Sequence, residues 1–339
     1  EKRKLNENKN KICKDNFFNL LTFSQFNKVN LIMNNKFLFI VFIILSSCSN
    51  DSIINNRIIS KHLSTLSDDK MEGRRAGTNG IEKAAKYIES EFERIGLTKY
   101  DTLNSYRQNF NFYDMLFYNV IGVLKGKSLP NEYVIISAHY DHLGIDHKKE
   151  GDNIYNGAND NASGVTAVLA LAEYLKKSDN NERSIIFVAF TAEEMGLVGS
   201  RYFGKNINPN DIVAGINIEM IGKESPYGKN TAWITGFDRS DFGEIIQKNL
   251  SDTNYEVFPD PYIKEKLFFR SDNAALAKLG IPAHTFSTTP MEKDSHYHKV
   301  SDEYKTLDIF TIKEATKLIS KGILSIIQGE DTPTRIQMN

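Results

Sequence analysis

The segment SIIFVAF, residues 184–190, decides the fold class of this chain. Its nearly continuous apolar run is typical of a β-strand that is buried on both faces of a sheet. Such a strand needs helices packed on both sides of the sheet, so the segment predicts an α/β fold. Two acidic residues, Glu193 and Glu194, follow the run closely. Polar groups are therefore expected where this strand ends.

Apolar patterns on either side of this segment alternate between strand and helix. Strands are predicted at 118–124, 133–138, 212–218, 232–235 and 281–286. Helices are predicted at 81–95, 165–175, 271–279 and 312–328. This alternation predicts a three-layer α/β/α domain with a largely parallel, mixed central sheet.

The N-terminal region carries the pattern of a secretory signal. The segment MNNK at 33–36 is followed by an apolar run at 37–45 and then by SSC at 46–48. A basic start, a short apolar core and small residues make up such a signal, and the run is too short for a transmembrane helix. The end of the segment resembles a bacterial lipobox, so we expect a lipid on Cys48 that anchors the protein to a membrane of the bacterial cell envelope. A buried helix or a plain membrane anchor is the alternative.

These patterns divide the chain into four parts. Residues 1–32 are rich in Lys and Asn and are expected to be a mis-annotated upstream extension, with a disordered cytoplasmic tail as the alternative. Residues 33–47 are the expected lipoprotein signal peptide, and 48–60 read as a polar tether. Residues 61–332 are expected to form one folded domain.

Charge and cysteine content argue against a nucleic-acid-binding protein and against a domain stabilised by disulfides. The chain has 42 basic and 43 acidic residues, and removal of residues 1–47 leaves 34 basic and 40 acidic ones. With an acidic balance and no basic patch, nucleic acid is not an expected partner. The two cysteines, Cys13 and Cys48, leave no pair for a disulfide in the mature domain, so its core must stabilise itself.

Residues of the types that bind metal occur in five short segments. Each segment comes just after an apolar run or lies in a loop rich in Gly, Asn or Ser. The candidate ligands and catalytic residues are His139, Asp141, Asp160, Glu193, Glu194, Glu219 and His298. Clustered buried carboxylates need cations, and two divalent ions bridged by one carboxylate would meet that need. A nitrogen and oxygen ligand set without thiolate suits a hydrolytic zinc centre.

Each segment taken alone also has a structural interpretation. His139 and Asp141 leave the same face of a strand end, so His139 can bind metal while Asp141 accepts its other N–H, but a hydrogen-bonded structural pair would look the same. Asp160 lies in an Asn-rich turn that Ser163 could cap. The pair Glu193 and Glu194 could divide metal binding and general base catalysis between them, or lie in a surface turn.

The histidines leave a further choice open. Either His296 or His298 could bind metal, since both lie in one polar loop. His142 and His147 are expected near the site without a role, and His284 is expected to be structural.

Taken in order along the chain, these segments resemble metallopeptidase family 28, which contains bacterial leucyl aminopeptidases, aminopeptidase Y and glutamate carboxypeptidases. The similar segments cover nearly the whole mature chain: 71–78 (MEGRRAGT), 139–142 (HYDH), 156–164, 190–200, 217–222, 270–272, 280–282 and 297–298. The resemblance implies the zinc-exopeptidase fold for residues 61–332. It also implies two zinc ions, one held by His139 and Glu219 and the other by Glu194 and His298, with Asp160 bridging both.

The resemblance implies the other roles as well. Glu193 would be the general base, Asp141 the residue that orients His139, and Tyr297 a residue that stabilises the oxyanion. His298 is preferred over His296 because the family places its ligand directly after Tyr in a Tyr-His-x-x-x-Asp pattern, here 297–302. One departure stands out, since Glu219 occupies a position where the family usually has Asp.

The expected function is that of a co-catalytic di-zinc exopeptidase, an aminopeptidase that acts on peptide substrates. One alternative is a glutaminyl cyclase-like acyltransferase with a single zinc. Another is a non-catalytic binding lipoprotein on the same fold, which would have no need of a general base. No protein partner can be inferred from the residues.

Overall fold

A computed structural model of the protein describes residues 53–101 and 103–336. The expected upstream extension at 1–32, the signal peptide at 33–47 and the lipid on Cys48 lie outside the described residues and stay predictions. No helix within the described ranges is long and apolar enough to cross a membrane.

A nine-stranded sheet forms the centre of the part of the chain that the structure describes. Its strands are β1 (Thr98–Lys99), β2 (Arg107–Phe112), β3 (Met115–Leu124), β4 (Leu129–His139), β7 (Arg183–Phe190), β8 (Ile212–Ile218), β9 (Thr231–Ile234), β10 (Glu256–Pro259) and β11 (Ala283–Ser287). A separate ribbon pairs β5 (Gly144–Ile145) with β6 (Ile154–Tyr155). The order across the sheet is β1, β3, β7, β4, β8, β11, β9, β10, and β2 also pairs with β3.

The middle of the sheet is parallel and its flanks are antiparallel. Strands β7, β4, β8 and β11 are parallel neighbours, whereas β3 runs antiparallel to β7 and β9 runs antiparallel to β11. The expectation of a largely parallel, mixed sheet is therefore confirmed. Because parallel strands share a direction, the carboxyl ends of the four central strands meet at one edge of the sheet.

Helices cover both faces of the sheet, which gives the predicted three layers. They are α1 (Asn56–Leu66), α2 (Asn79–Ile95), α3 (Ser163–Ser178), α4 (Val198–Lys205), α5 (Phe242–Leu250), α6 (Asn273–Ala277), α7 (Ile309–Gly322) and α8 (Leu324–Ile327). Alternate strand residues serve the two cores: Ile136 packs with the residues of α1, α2, α3 and α7, and Ile135 packs with Phe203 of α4 and Leu276 of α6. The continuous apolar runs thus belong to strands that are buried on both faces.

The N-terminal boundary of the domain is earlier than predicted, because the expected tether at 48–60 is wrong from Ile54 onwards. Helix α1 begins at Asn56, and the side chain of Asn55 accepts the N–H of Ile58 at 3.1 Å as its N-cap. Ile54 and Ile59 are buried in the main core. Asn and Arg surround the few apolar residues of this first turn, so its sequence pattern resembles that of a polar tether.

The C-terminal boundary is later than 332. The Arg335 side chain donates to the carbonyl of Ile212 at 2.8 Å, and the N–H of Ile336 donates to the carbonyl of Gly280 at 3.1 Å. Ile336 is buried against Phe268. The C-terminal segment is therefore part of the folded domain through Ile336.

Two predicted helices have other bounds. The helix expected at 271–279 spans only Asn273–Ala277. The helix expected at 312–328 begins at Ile309, because Asp308 caps it by accepting the N–H of Phe310 at 3.0 Å. It is interrupted at Ile323, directly after a glycine, and resumes as α8.

Candidate metal centre

The carboxyl edge of the parallel strands brings the predicted ligand residues together. His139 is the last residue of β4, and Glu219 follows the last residue of β8. Glu193 and Glu194 come shortly after β7, and Asp160 lies in the turn Ala158–Ala162 that leads into α3. Neighbouring parallel strands that end at one edge deliver these side chains to a single site.

Two groups of ligand atoms share Asp160. His139, Asp160 and Glu219 offer atoms that all lie within 4.8 Å of one another. His142, Asp160 and Glu194 form a second group of the same kind. The two oxygens of Asp160 point to different partners, since Oδ1 lies 3.2 Å from His139 Nε2 and Oδ2 lies 3.8 Å from His142 Nδ1.

His298 joins the second group from the loop that follows β11. Its Nε2 atom lies 3.2 Å from Asp160 Oδ2 and 3.2 Å from Glu194 Oε2. These separations suit three ligands of one zinc ion, whose bonds to nitrogen and oxygen are about 2.0–2.2 Å long. His296 instead places Nδ1 3.0 Å from the hydroxyl of Ser301. The geometry therefore favours His298 as the ligand.

His142 is a site residue to which the sequence analysis assigned no role. Its Nδ1 atom lies 2.8 Å from Glu194 Oε1, and its side chain is fully buried. An imidazole N–H at this distance holds the glutamate carboxylate in a fixed orientation, as the outer partners of metal ligands do. The available signal was its position three residues after His139, in the loop that leaves β4 at the site edge.

The expected contact of Asp141 is replaced by a different one. Its Oδ1 atom lies 3.8 Å from His139 Nδ1, which is too long for a hydrogen bond. The nearer acceptor for His139 Nδ1 is the backbone carbonyl of Asp141, at 3.2 Å. The carboxylate instead accepts the backbone N–H groups of Glu193 at 3.0 Å and Glu194 at 3.3 Å. Because two backbone N–H groups converge on this carboxylate, Asp141 positions the loop of both glutamates.

Arg74 lies under the site and joins its loops. It is 1% exposed, and its guanidinium donates to the carbonyls of Tyr140 at 2.9 Å, Asn156 at 2.6 Å and Gly157 at 2.9 Å. Burial lowers the pKa of Arg74 to about 10, and Asp302 and other nearby carboxylates oppose that shift. The side chain thus fixes the end of β4 to the turn of Asp160. Its place in the motif at 71–78 is the only signal of this role in the sequence.

The charges of the site depend on one another. Burial raises the pKa of Glu219 to about 7 and holds the pKa of Glu193 well above its usual range. Burial also acts to raise the pKa of Asp160, but the neighbouring imidazoles of His139 and His298 outweigh it and hold that pKa well below its usual range. Hydrogen bonds to Asp160 and Glu194 raise the pKa of His298 to about 10. The raised pKa values of His139 and His298 favour protonated imidazoles, which offset part of the carboxylate charge.

The polar atoms of the site fit a divalent cation. His139 Nε2 and Glu219 Oε2 are buried and make no hydrogen bond to any described residue. A buried polar atom without a partner is unfavourable by about 1–3 kcal/mol, so such atoms are rare unless a ligand satisfies them. The donors are imidazole nitrogens and carboxylate oxygens, which suit zinc.

A cavity of about 510 Å³, including its open mouth, adjoins these ligands. Asp160, Glu193, Glu219 and His298 face it from the metal side. Tyr297 also lines it, with its ring stacked on that of His298 at 3.9 Å between centroids. Burial raises the pKa of Tyr297, so its hydroxyl keeps its proton and can donate a hydrogen bond into the cavity.

Comparison with known proteins identifies the family of this chain. Residues 119–323, from β3 to the end of α7, match the model of peptidase family M28. The chain belongs to peptidase family M28. The family M28 match contains all the predicted ligands and Glu193, and the expected zinc-exopeptidase fold class is thereby confirmed.

Two curated relatives are aminopeptidases. The chain is 25% identical over 236 residues to aminopeptidase YwaD of Bacillus subtilis, a match that covers 65% of this chain and 47% of that protein. It is 37% identical over 175 residues to an aminopeptidase of Pseudomonas aeruginosa, which covers 48% of this chain and 30% of that protein. The chain therefore spans less than half the length of these two relatives.

Solved structures share the fold at low sequence identity. The LapA aminopeptidase of Legionella pneumophila matches with a TM-score of 0.66 at 20% identity, over 91% of this chain and 79% of that one. BSAP, a zinc aminopeptidase from Bacillus subtilis, matches with a TM-score of 0.65 at 16% identity, over 81% and 95%. A glutaminyl cyclase of Porphyromonas gingivalis matches with a TM-score of 0.62 at 17% identity, over 79% and 97%. At these identities the likeness shows the fold alone.

Proposed function

We propose that the protein is a co-catalytic di-zinc aminopeptidase that removes N-terminal residues from peptides. The observation that carries the proposal is the position of Asp160 between two groups of nitrogen and oxygen ligands. A single carboxylate shared by two such groups is what a pair of bridged metal ions requires. The aminopeptidase relatives support the choice of reaction.

In this proposal the ligands divide as the family resemblance implies. His139 and Glu219 would hold one zinc ion, Glu194 and His298 would hold the other, and Asp160 would contribute to both. Glu219 is one methylene longer than Asp, but its carboxylate lies within 4.8 Å of the ligand atoms of His139 and Asp160, which supports this assignment. When bound, zinc polarises the scissile carbonyl as a Lewis acid and lowers the pKa of a water molecule.

The protein's own groups then move the protons. Glu193 lines the cavity, and burial raises the pKa of its carboxylate, so it can accept a proton from the attacking water and deliver it to the leaving amine. Asp141 holds the backbone of Glu193 in place for this transfer. The hydroxyl of Tyr297 donates a hydrogen bond to the developing oxyanion.

The test combines metal content with turnover. Elemental analysis of zinc-loaded protein should give two zinc ions per chain, and the same protein should hydrolyse aminoacyl-p-nitroanilides. One zinc ion together with cyclisation of an N-terminal glutamine would replace the proposal with a glutaminyl cyclase-like acyltransferase. Peptide binding without turnover would identify a binding protein instead.

The proposed location is the bacterial cell envelope, with the protein held at a membrane by a lipid on Cys48. Support comes from the signal-like pattern at 33–48. Expression of wild type and Cys48→Ala followed by fractionation tests this. The wild type should partition with membranes and the variant should not, and identical partition of the two would refute the lipid anchor.

A further inference from the structure

The cavity beside the metal centre has apolar walls and one fixed positive charge. Trp233, Leu267, Met220 and Met291 form the apolar walls. Among the described residues that line the cavity, Arg270 is the only lysine or arginine. A guanidinium at such a place selects for an anionic group on whatever enters.

The guanidinium of Arg270 has donors to spare. Its side chain is 47% exposed, and its nearest acidic neighbour is Glu265, whose Oε2 lies 3.9 Å from Nη1. That separation is beyond hydrogen-bond distance, and no other described residue accepts from this side chain. An arginine carries five N–H donors in a planar fork that matches the two oxygens of a carboxylate.

The backbone that carries Arg270 is held firmly. The N–H of Arg270 donates to the carbonyl of Leu267 at 3.0 Å. The next residue, Ser271, is buried, and its Oγ accepts from Asn217 Nδ2 at 2.7 Å. The backbone of Arg270 is therefore fixed at the cavity wall, and only its side chain is free to rotate.

The charge of Arg270 also reaches the site. Burial raises the pKa of Tyr297, nearby carboxylates raise it further, and Arg270 opposes them. Arg270 and Tyr297 also line the same cavity, so both can act on one small ligand.

We infer that Arg270 binds a carboxylate of the substrate and so sets which peptides the cavity accepts. The inference rests on the proposed peptidase function and names its substrate class. A carboxylate can come from the acidic side chain of the N-terminal residue or from the free C-terminus of a short peptide. Either would meet repulsion from Glu193 and Glu219 on the metal side, which Arg270 offsets on the opposite flank.

Binding measurements separate the two sources without any need for turnover. Calorimetry uses zinc-loaded protein with Glu193→Gln, and the same protein with Arg270→Gln added. The first ligand pair is Glu-Leu-amide against Gln-Leu-amide, and the second is Leu-Leu against Leu-Leu-amide. In at least one pair, loss of Arg270 should weaken binding of the carboxylate member about 10- to 100-fold, as expected for a charged hydrogen bond, and leave the amide member unchanged.

Two further variants test whether the effect depends on the guanidinium and on its place in the cavity. Arg270→Lys keeps the charge but loses the fork, so it should recover only part of the affinity. Arg239→Gln is the matched control, because Arg239 stacks on Phe268 and Phe269 and does not line the cavity. Equal affinities with and without Arg270 for both carboxylate ligands, or no binding of either, would overturn the inference. Hydrolysis of Leu-p-nitroanilide by the wild type reports separately on the peptidase function.

Discussion

The Oδ2 atom of Asp302 accepts the backbone N–H of Asp160 at 3.0 Å. Both Asp302 oxygens also accept the N–H of Asn159, at 2.9 and 3.1 Å. Asp302 lies four residues after His298, so this one carboxylate ties the loop of a candidate ligand to the turn of the shared ligand. The spacing of His298 and Asp302 thus has a structural reason. Asp302 anchors the loop that carries His298 beside Asp160.

Loss of the charge at Asp302 should weaken zinc binding by the group that contains Asp160, Glu194 and His298. Asp302→Asn keeps an acceptor oxygen but weakens the bonds to Asn159 and Asp160, because a carboxylate accepts more strongly than an amide. Zinc affinity at the weaker site should fall about 10- to 100-fold, as is usual for residues that support ligands. Competition with a chromogenic chelator measures it. Asp308→Asn, the same change at the cap of α7, should leave zinc affinity unchanged.

The neighbours Glu193 and Glu194 should fail in different ways. Glu194→Gln should lower zinc occupancy and activity together, because Glu194 is the proposed ligand. Glu193→Gln should keep both zinc ions and lower kcat by about 10²- to 10⁴-fold, the usual contribution of a general base. Zinc content is measured beside kcat for each variant. Loss of zinc only in Glu193→Gln would reverse the two roles, and unchanged kcat in both would place the active site elsewhere.

His142 should matter for zinc although it was not predicted to do so. His142→Gln removes an imidazole N–H from Glu194 and leaves that carboxylate free to rotate. Zinc affinity should fall by roughly 10- to 100-fold, while the protein should remain folded. His296→Gln is the matched control, because His296 contacts Ser301 rather than the ligand cluster. Equal zinc affinities for the two variants would show that His142 is only a packing residue.

The sequence predicted the sheet and the candidate ligands because both depend on local patterns. An apolar run such as 184–190 marks a buried strand by itself, and a carboxylate that follows it, such as Glu194, lies at the sheet edge. The supporting contacts depend instead on distant parts of the chain. Asp302 meets Asp160 across 142 positions, and Arg74 meets Asn156 across 82. The hydrophobic periodicity of a sequence does not predict contacts between such distant residues.

Asp141 illustrates the same limit at short range. The spacing of His139 and Asp141 predicted a side-chain contact between them, but the structure directs the carboxylate to backbone N–H groups of the β7 loop. That competition is decided by which loop lies opposite the strand end. A pattern within one segment holds no information about the segment that faces it.

His284 should make the protein less stable in mild acid. It is fully buried beside Phe242, and its Nδ1 donates to the carbonyl of Thr235 at 2.9 Å while Nε2 lies 2.8 Å from the hydroxyl of Ser240. A carbonyl only accepts, so Nδ1 carries the proton and Nε2 accepts from the serine. Burial lowers the pKa of His284 from 6.5 to about 4.

The sign of the effect follows from these two pKa values. Above pH 6.5 the imidazole of His284 is neutral in both the folded and the unfolded chain, so it makes no pH-dependent contribution. Between pH 6.5 and about 4 the unfolded chain binds a proton that the folded chain does not, and the free energy of unfolding falls. The loss should reach about 2–3 kcal/mol by pH 4.5, at roughly 1.4 kcal/mol per pH unit. Below the folded pKa the loss levels off.

The measurement is urea unfolding of the wild type and His284→Gln at pH 7.5, 5.5 and 4.5, with EDTA throughout. Metal loss and the other histidines then affect both proteins equally, so the difference between them isolates His284. The variant should be less stable at pH 7.5, because it disturbs a packed ring, but its stability should fall less steeply with acid. His147→Gln, at an exposed position, should keep the wild-type slope. Parallel pH curves for the wild type and His284→Gln would mean that His284 takes up its proton equally readily in the folded and unfolded chains.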